Sequence, residues 1–274
     1  MKFLITGVSG FVGEELSYFF QKGKNNSVLG IDKNEEFASD KIKFQKCDLV
    51  RDENILEKIF SEYKPDVVIH CASKILLNYS DKDLVWKINY DATKRLYELS
   101  EKYNVKKFIF FSTFSIFQKN YKNPIDENEK PTYRTLYGES KYAAEKMLLE
   151  MKFSGDLCIL RCPMILGKIR SNRFGLLYDL IRDNYNLPLI GKCQNKLSFI
   201  HITDVALAIE KFLNCKGKYV FNIAANEFEE FQFILTRLIK KANSKSKLVH
   251  FNKTLGNLLF DIAAFLRLVP FNSY

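Results

Sequence analysis

Short runs rich in Val, Ile, Leu and Phe alternate along this chain with longer stretches whose apolar residues return every three or four positions. The runs Lys2–Thr6, Val28–Ile31, Lys43–Cys47, Val67–His70, Lys107–Ser112 and Leu157–Arg161 predict strands. Their nearly unbroken apolar content suits parallel strands covered on both faces, because a strand with one wet face would alternate with polar residues. The stretches at 11–22, 52–62, 83–103 and 134–151 carry the helical period. Strand, helix and strand repeated in this way predict an α/β fold with a doubly wound parallel sheet. After about residue 165 the rhythm loosens into a helix near 173–184, a loop through LPLIGKCQNKLS, a helix near 203–214 and a strand near 219–223. The expected division is a first domain over 1–165 and a smaller C-terminal lobe over 166–274, interleaved with the sheet.

The composition, 47% hydrophobic and 14% aromatic over 274 residues, supplies ample core material. The formal charge of +10 is scattered rather than blocked. It points to acidic, phosphate-bearing small molecules and not to nucleic acid. Six cysteines form no Cys-x-x-Cys and no metal-type pairing with the three histidines. Reduced thiols and no metal site are expected. The opening MKFLITG is too short for a signal peptide. No apolar run spans a membrane, since Asp261 and Arg267 interrupt NLLFDIAAFLRLVPF, a segment that reads as a helix of the second lobe. A soluble, cytoplasmic protein is expected.

FLITGVSGFVGEEL places Gly7, Gly10 and Gly13 between the first strand and the first helix. Gly7 allows a tight turn, Gly10 lets a pyrophosphate approach the backbone, and Gly13 lets the helix pack on the sheet. The amides at the helix start, at Phe11 and Val12, then face the phosphates. Asp32 ends the next strand, where a carboxylate accepts from adenosine ribose hydroxyls and repels a 2′-phosphate. NAD is therefore expected over NADP, the less favoured alternative that Lys33 beside Asp32 leaves open.

YGESK sets Tyr137 one helical turn ahead of Lys141, so that both can work on one face. The same spacing recurs at Tyr18/Lys22, Tyr90/Lys94, Tyr103/Lys107 and Tyr142/Lys146, so the spacing alone selects none of them. Order along the chain does select. TGVSGFVG, CDL, VVIHCAS, KINYDAT, FIFFSTFSIF, YGESK, LRCPMILG and FIHITDVA follow one another here. The chain thereby resembles the extended short-chain dehydrogenase/reductases, specifically the NAD-dependent epimerase/dehydratase group. The resemblance runs from residue 1 to about 225 and implies a Rossmann-type domain followed by a substrate-binding lobe. Its active tyrosine lies about 25 residues beyond the hydroxyl that ends the fifth strand. Thr113 and Tyr137 stand 24 apart.

That resemblance makes Tyr137, Lys141 and Thr113 the catalytic set. Moving a hydride to or from a carbinol requires a proton to leave or join its oxygen. A free phenol, with a pKa near ~10, is a poor base until a nearby ammonium favours its phenolate. The resemblance also assigns Asp48 and Leu49 to the adenine end of the cofactor, Ala72 and Ser73 to the loop lining it, and Asn89 to a helix beside the active site. Asn89 reads equally as a residue satisfying buried backbone. His70 reads as core or cofactor-lining, and His201 and Asp204 as structural support.

Where family 4,6-dehydratases carry an Asp-Glu pair, Phe114-Ser115 stands, which argues against elimination of water. Sugar-nucleotide members carry Asn where Met164 stands and a phosphate-binding Arg where Leu197 stands, leaving Arg173, Lys192 and Lys196 to replace them. The expected activity is epimerisation of a nucleotide sugar, at C4. The alternative is an NAD(P)-dependent dehydrogenase or keto-reductase of a sugar or a 3β-hydroxysteroid-like alcohol. A homodimer through the helices at 83–103 and 134–151 is expected, with apolar faces at Leu84, Ile88, Leu96, Leu99, Met147 and Leu148 that also suit packing on the sheet. Many relatives continue past the position of Tyr274 with another strand and helix.

Overall fold

A computed structural model describes residues 1–34, 41–75, 81–117, 124–167, 173–191, 193, 195–226, 228–252 and 254. Strand β1 (Lys2–Thr6) sends Phe3 and Ile5 into one apolar cluster and Leu4 into another, and all three are fully buried. Successive strand residues point to opposite faces, so both faces of this sheet are covered. Six more strands run parallel in one sheet: β2 (Ser27–Asp32), β3 (Lys43–Lys46), β4 (Val67–His70), β5 (Lys107–Thr113), β6 (Asp156–Cys162) and β10 (Lys218–Asn222). Their order is β10-β6-β5-β4-β1-β2-β3. The doubly wound α/β sheet expected from the apolar runs is the observed fold.

On one face lie α2 (Glu53–Tyr63), α4 (Ala92–Lys102) and α5 (Leu136–Glu150), which contribute Leu56, Phe60, Leu96, Tyr97, Ala144 and Leu148 to the core. On the other lie α1 (Phe11–Gln21) and α7 (Ile202–Phe212), which contribute Leu16, Phe20, Val205, Ile209 and Phe212. The strand order turns back between β1 and β4. Chain leaving these two strands departs in opposite directions and opens a crevice at their C-terminal ends, where ligands bind in folds of this kind. Gly7, at φ 71°, makes the turn out of β1, and a Cβ there would stand 2.7 Å from the Ala72 amide nitrogen. The loops after β1 and β4 therefore meet at the base of that crevice.

The helix expected over 83–103 is three pieces: α3 (Lys82–Trp86), a π-helical turn (Lys87–Asp91) and α4. A π-turn rarely persists without a local reason. Here it buries Asn89 completely and aims it across the fold at Lys74.

The chain divides into two units, Met1–Gly167 with Ile200–Ala224, and Lys168–Phe199 with Ala225–Tyr274. The stretch that interleaves with the sheet is thus Ile200–Ala224. It returns because β10 pairs with β6 and the apolar face of α7 joins the core beside α1. In the second unit, α6 (Arg173–Arg182) and α8 (Phe231–Lys241) enclose Ile181, Leu187, Leu189 and Leu235. After the short β7 (Met164–Leu166), the segment expected as a loop through LPLIGKCQNKLS contains β8 (Leu187–Ile190) and the start of β9 (Lys196–His201). Their partners, β12 (Leu248–Phe251) and β11 (Phe228–Glu230), lie far along the chain, so no local pattern announced the pairing. The terminal segment 257–271 lies outside the described residues, apart from which no described helix is long and apolar enough to cross a membrane.

Candidate active site

The loop from β1 into α1 is a cradle that side chains would fill. A Cβ on Gly13 would lie 2.3 Å from the Gly7 carbonyl oxygen, and one on Gly10 would lie 3.3 Å from it. Gly10 caps α1 without a side-chain hydrogen bond. The first amides of the helix, at Phe11, Val12 and Gly13, therefore keep the partial positive charge that attracts phosphate. The Phe11 and Val12 side chains pack into the core beneath. Ser9 Oγ is buried without a hydrogen-bond partner, a polar group waiting for a ligand atom. At the end of β2 the Asp32 carboxylate accepts from the Ser9 amide at 3.2 Å and the Asn34 amide at 3.1 Å. These residues fit a dinucleotide: an open amide cradle for its phosphates, with a fixed carboxylate beside it for a ribose.

Across the crevice, α5 begins at a Thr135 cap that accepts from the Gly138 amide at 3.1 Å. Gly138 permits a close approach, since a Cβ there would stand 2.5 Å from the Ser115 carbonyl oxygen. This contact brings the first turn of α5 against Phe114–Ile116, the short 3-10 turn that follows β5. Tyr137 thereby faces the side chains of Thr113 and Ser73. Burial raises the Tyr137 pKa, and interaction with those two hydroxyls opposes the rise. Thr113 Oγ1 also accepts from the Ser115 amide at 3.0 Å.

Lys141, one turn along α5, is 1% exposed, with its ammonium 3.8 Å from the centre of the Phe110 ring. Burial lowers its pKa to about 7, while the Glu145 carboxylate pulls it upward. Glu145 sits one further turn along, itself buried, in a two-pronged ion pair with Arg161 at 2.8 to 3.2 Å. Burial pushes Cys162 up to about 12 and Cys71 higher still, so these neighbouring thiols stay protonated.

A model of the NAD dependent epimerase/dehydratase family matches residues 3–224. The chain belongs to this enzyme family. It is 29% identical to an uncharacterised protein, y4nG, of Sinorhizobium fredii, over 99% of this chain and 68% of that one. It is 31% identical to a UDP-glucose 4-epimerase of Halalkalibacterium halodurans, over 54% of this chain and 45% of that one, and so spans less than half of that relative. Among solved structures it is similar to the UDP-glucose 4-epimerase of Thermotoga maritima determined with UDP-glucose. There the TM-score is 0.82 at 22% identity, covering 92% of this chain and 86% of that one, a likeness of fold.

Other sequence-derived positions in this family member take specific places. The Asn89 amide is engaged by protein groups. Its Oδ1 accepts from Lys74 N at 2.8 Å, and its Nδ2 donates to Lys74 O at 2.9 Å and to Ser140 Oγ at 3.0 Å. These contacts are the backbone role that its sequence position allowed. The Leu49 side chain is core, and one Asp48 oxygen accepts from Val50 N at 2.9 Å to close its own turn. Ala72 donates its amide to Thr6 Oγ1 at 3.2 Å. His201 caps α7, accepting from Thr203 N at 3.2 Å, and Asp204 follows in the first turn of that helix. Met164 is exposed and Leu197 half-buried. Lys192 and the side chain of Arg173 lie outside the described residues.

Sequence reading passed over Ser9, Gly138 and the Glu145–Arg161 pair. The spacing Lys141-x-x-x-Glu145 was a visible signal for the last, but the burial that makes it matter was not.

Proposed function

We propose that the chain is an NAD-dependent epimerase of a nucleotide sugar, acting at C4, with Tyr137 as its acid–base group. The observation that carries this reading is the meeting of Tyr137, Thr113 and Ser73, with Lys141 one turn behind. Bound NAD would supply a hydride acceptor and donor, with its phosphates on the Gly7–Gly13 loop and its adenosine ribose at Asp32. Thr113 orients the sugar hydroxyl toward Tyr137, which removes the hydroxyl proton and later returns it. Protonated Lys141 favours the phenolate during that exchange. In this reading the second unit is the substrate lobe. The similarity to a UDP-glucose 4-epimerase supports a diphosphate-linked sugar. Phe114 and Ser115 provide no acid–base pair for elimination.

A second reading, a dehydrogenase or keto-reductase of a smaller alcohol, is favoured by Met164 and Leu197, apolar groups that cannot grip a diphosphate. Incubation with NAD and a panel of UDP-hexoses separates the two. Epimerisation shows the C4 epimer by NMR without net NADH, whereas a dehydrogenase accumulates NADH. Tyr137→Phe is expected to lower turnover by about 10²–10⁴ while NAD affinity is retained; unchanged turnover overturns the assignment.

We also propose a homodimer. Leu96, Leu99, Met147 and Leu148, named from sequence as a pairing face, are core residues. The pairing surface would instead use the groove of about 350 Å³ whose lining includes Tyr90, Ala143, Lys146, Glu150 and Met151.

A further inference from the structure

Ser73 reaches Tyr137 from a loop held on both sides by one line of hydrogen bonds, most of it fully buried, which the proposed chemistry does not use. On one side the Ala72 amide donates to Thr6 Oγ1 at 3.2 Å. Thr6 Oγ1 meets His70 Nδ1 at 2.7 Å, and His70 Nε2 meets Thr93 Oγ1 at 2.9 Å. Thr93 Oγ1 donates to the Asn89 carbonyl at 2.8 Å. Asn89 closes the line by gripping both backbone groups of Lys74, on the other side of Ser73. It also holds Ser140, whose hydroxyl donates to the Tyr137 carbonyl at 2.9 Å. Thr6, His70, Asn89, Thr93 and Ser140 are all 0% exposed.

Counting donors leaves one arrangement. A carbonyl only accepts, so the Thr93 hydroxyl proton belongs to Asn89, and Thr93 must accept from His70. Nε2 therefore carries a hydrogen. Thr6 accepts from Ala72 and directs its own proton to Nδ1, which must be bare. A second ring proton would leave the Thr6 hydroxyl without an acceptor in a dry site. It would also place a cation near Lys141, the charged group that faces the ring from α5. The other neighbours are Thr6 from β1, Thr93 from α4, and Phe108 and Phe110 from β5.

We propose that His70 is a positioning residue: as the Nε2–H imidazole it ties the loop after β4 to the π-helical turn, and so holds Ser73 and the first turn of α5 in register for Tyr137. This deepens the proposed function, on which its consequence for cofactor binding rests.

The chain has three histidines, so 15N-histidine NMR of the intact protein resolves His70 by comparison with a His70→Gln sample. The expected signature is a neutral Nε2–H ring from about pH 8 to about pH 6; an Nδ1–H or doubly protonated ring overturns the proposal. Gln can donate and accept where the imidazole does, whereas Leu can do neither. His70→Leu is expected to speed amide exchange at Ala72 and Lys74, and to weaken NAD binding, each about tenfold. His70→Gln is expected to recover most of both. Equal exchange in the two variants and the parent overturns the relay. If the parent binds no NAD, the proposed function fails, while the tautomer and exchange measurements still judge the relay.

Discussion

Burial carries Lys141 to a pKa of about 7 from an ordinary value of 10.5. The folded protein therefore releases this proton near neutrality, whereas the unfolded chain keeps it until the pH approaches 10.5. Between those values the unfolded state binds more protons, so this group makes the fold more stable as pH rises above 7 and less stable as it falls toward 7, below which its effect is constant. Between pH 7 and about 8.5 the gain is roughly 1.5 kcal/mol. That window lies below the ordinary values of Cys71 and Tyr137, whose raised pKa values act in the opposite direction at higher pH. Urea unfolding across it is expected to show the slope in the parent and to lose it in Lys141→Met. A parent with no slope would mean that the ammonium is solvated. Glu145 opposes the depression, so Glu145→Gln is expected to move the Lys141 transition to lower pH.

Helix α5 places its functional groups through what it lies against. Gly138 lets its first turn reach the turn after β5, and the Glu145–Arg161 pair pins its middle to β6. Gly138→Ala is expected to lower turnover by tenfold or more, with NAD affinity little changed, because the added methyl separates Tyr137 from Thr113 rather than disturbing the phosphate loop. Arg161→Met leaves the Glu145 carboxylate buried without its partner and is expected to cost about 3 kcal/mol in urea unfolding. Gly13→Ala acts on α1 instead. A Cβ 2.3 Å from the Gly7 carbonyl must displace backbone, so NAD binding is expected to be lost in calorimetry while the rest of the sheet still folds.

At the scale of the molecule, the reversal of strand order between β1 and β4 makes the crevice, and the groups assigned to catalysis and to the phosphate loop lie at the C-terminal ends of β1, β2, β4 and β5, on the first turn of α1 or on the first two turns of α5. The second unit has its own small core and is built from strands paired over long sequence distances. For the proposed dimer, Ala143→Glu is expected to shift sedimentation to the monomer without lowering the unfolding midpoint. A parent that sediments as a monomer would remove the dimer from the reading.

The sequence by itself determined the parallel sheet, because strands buried on both faces must be apolar throughout, and it nominated the glycine loop, Asp32, Thr113, Tyr137 and Lys141 as candidates by order and spacing. What it left open are properties of neighbours rather than of positions. Whether Asn89 holds backbone or cofactor depends on Lys74 lying across from it. Whether Leu96 and Met147 face a partner or the core depends on which side of each helix meets the sheet. The strands β8, β11 and β12 exist because distant segments meet, and the neutrality of His70 follows from two threonines on separate elements. Only tertiary structure decided these, since hydrogen bonding and burial act across space between groups that the chain keeps far apart.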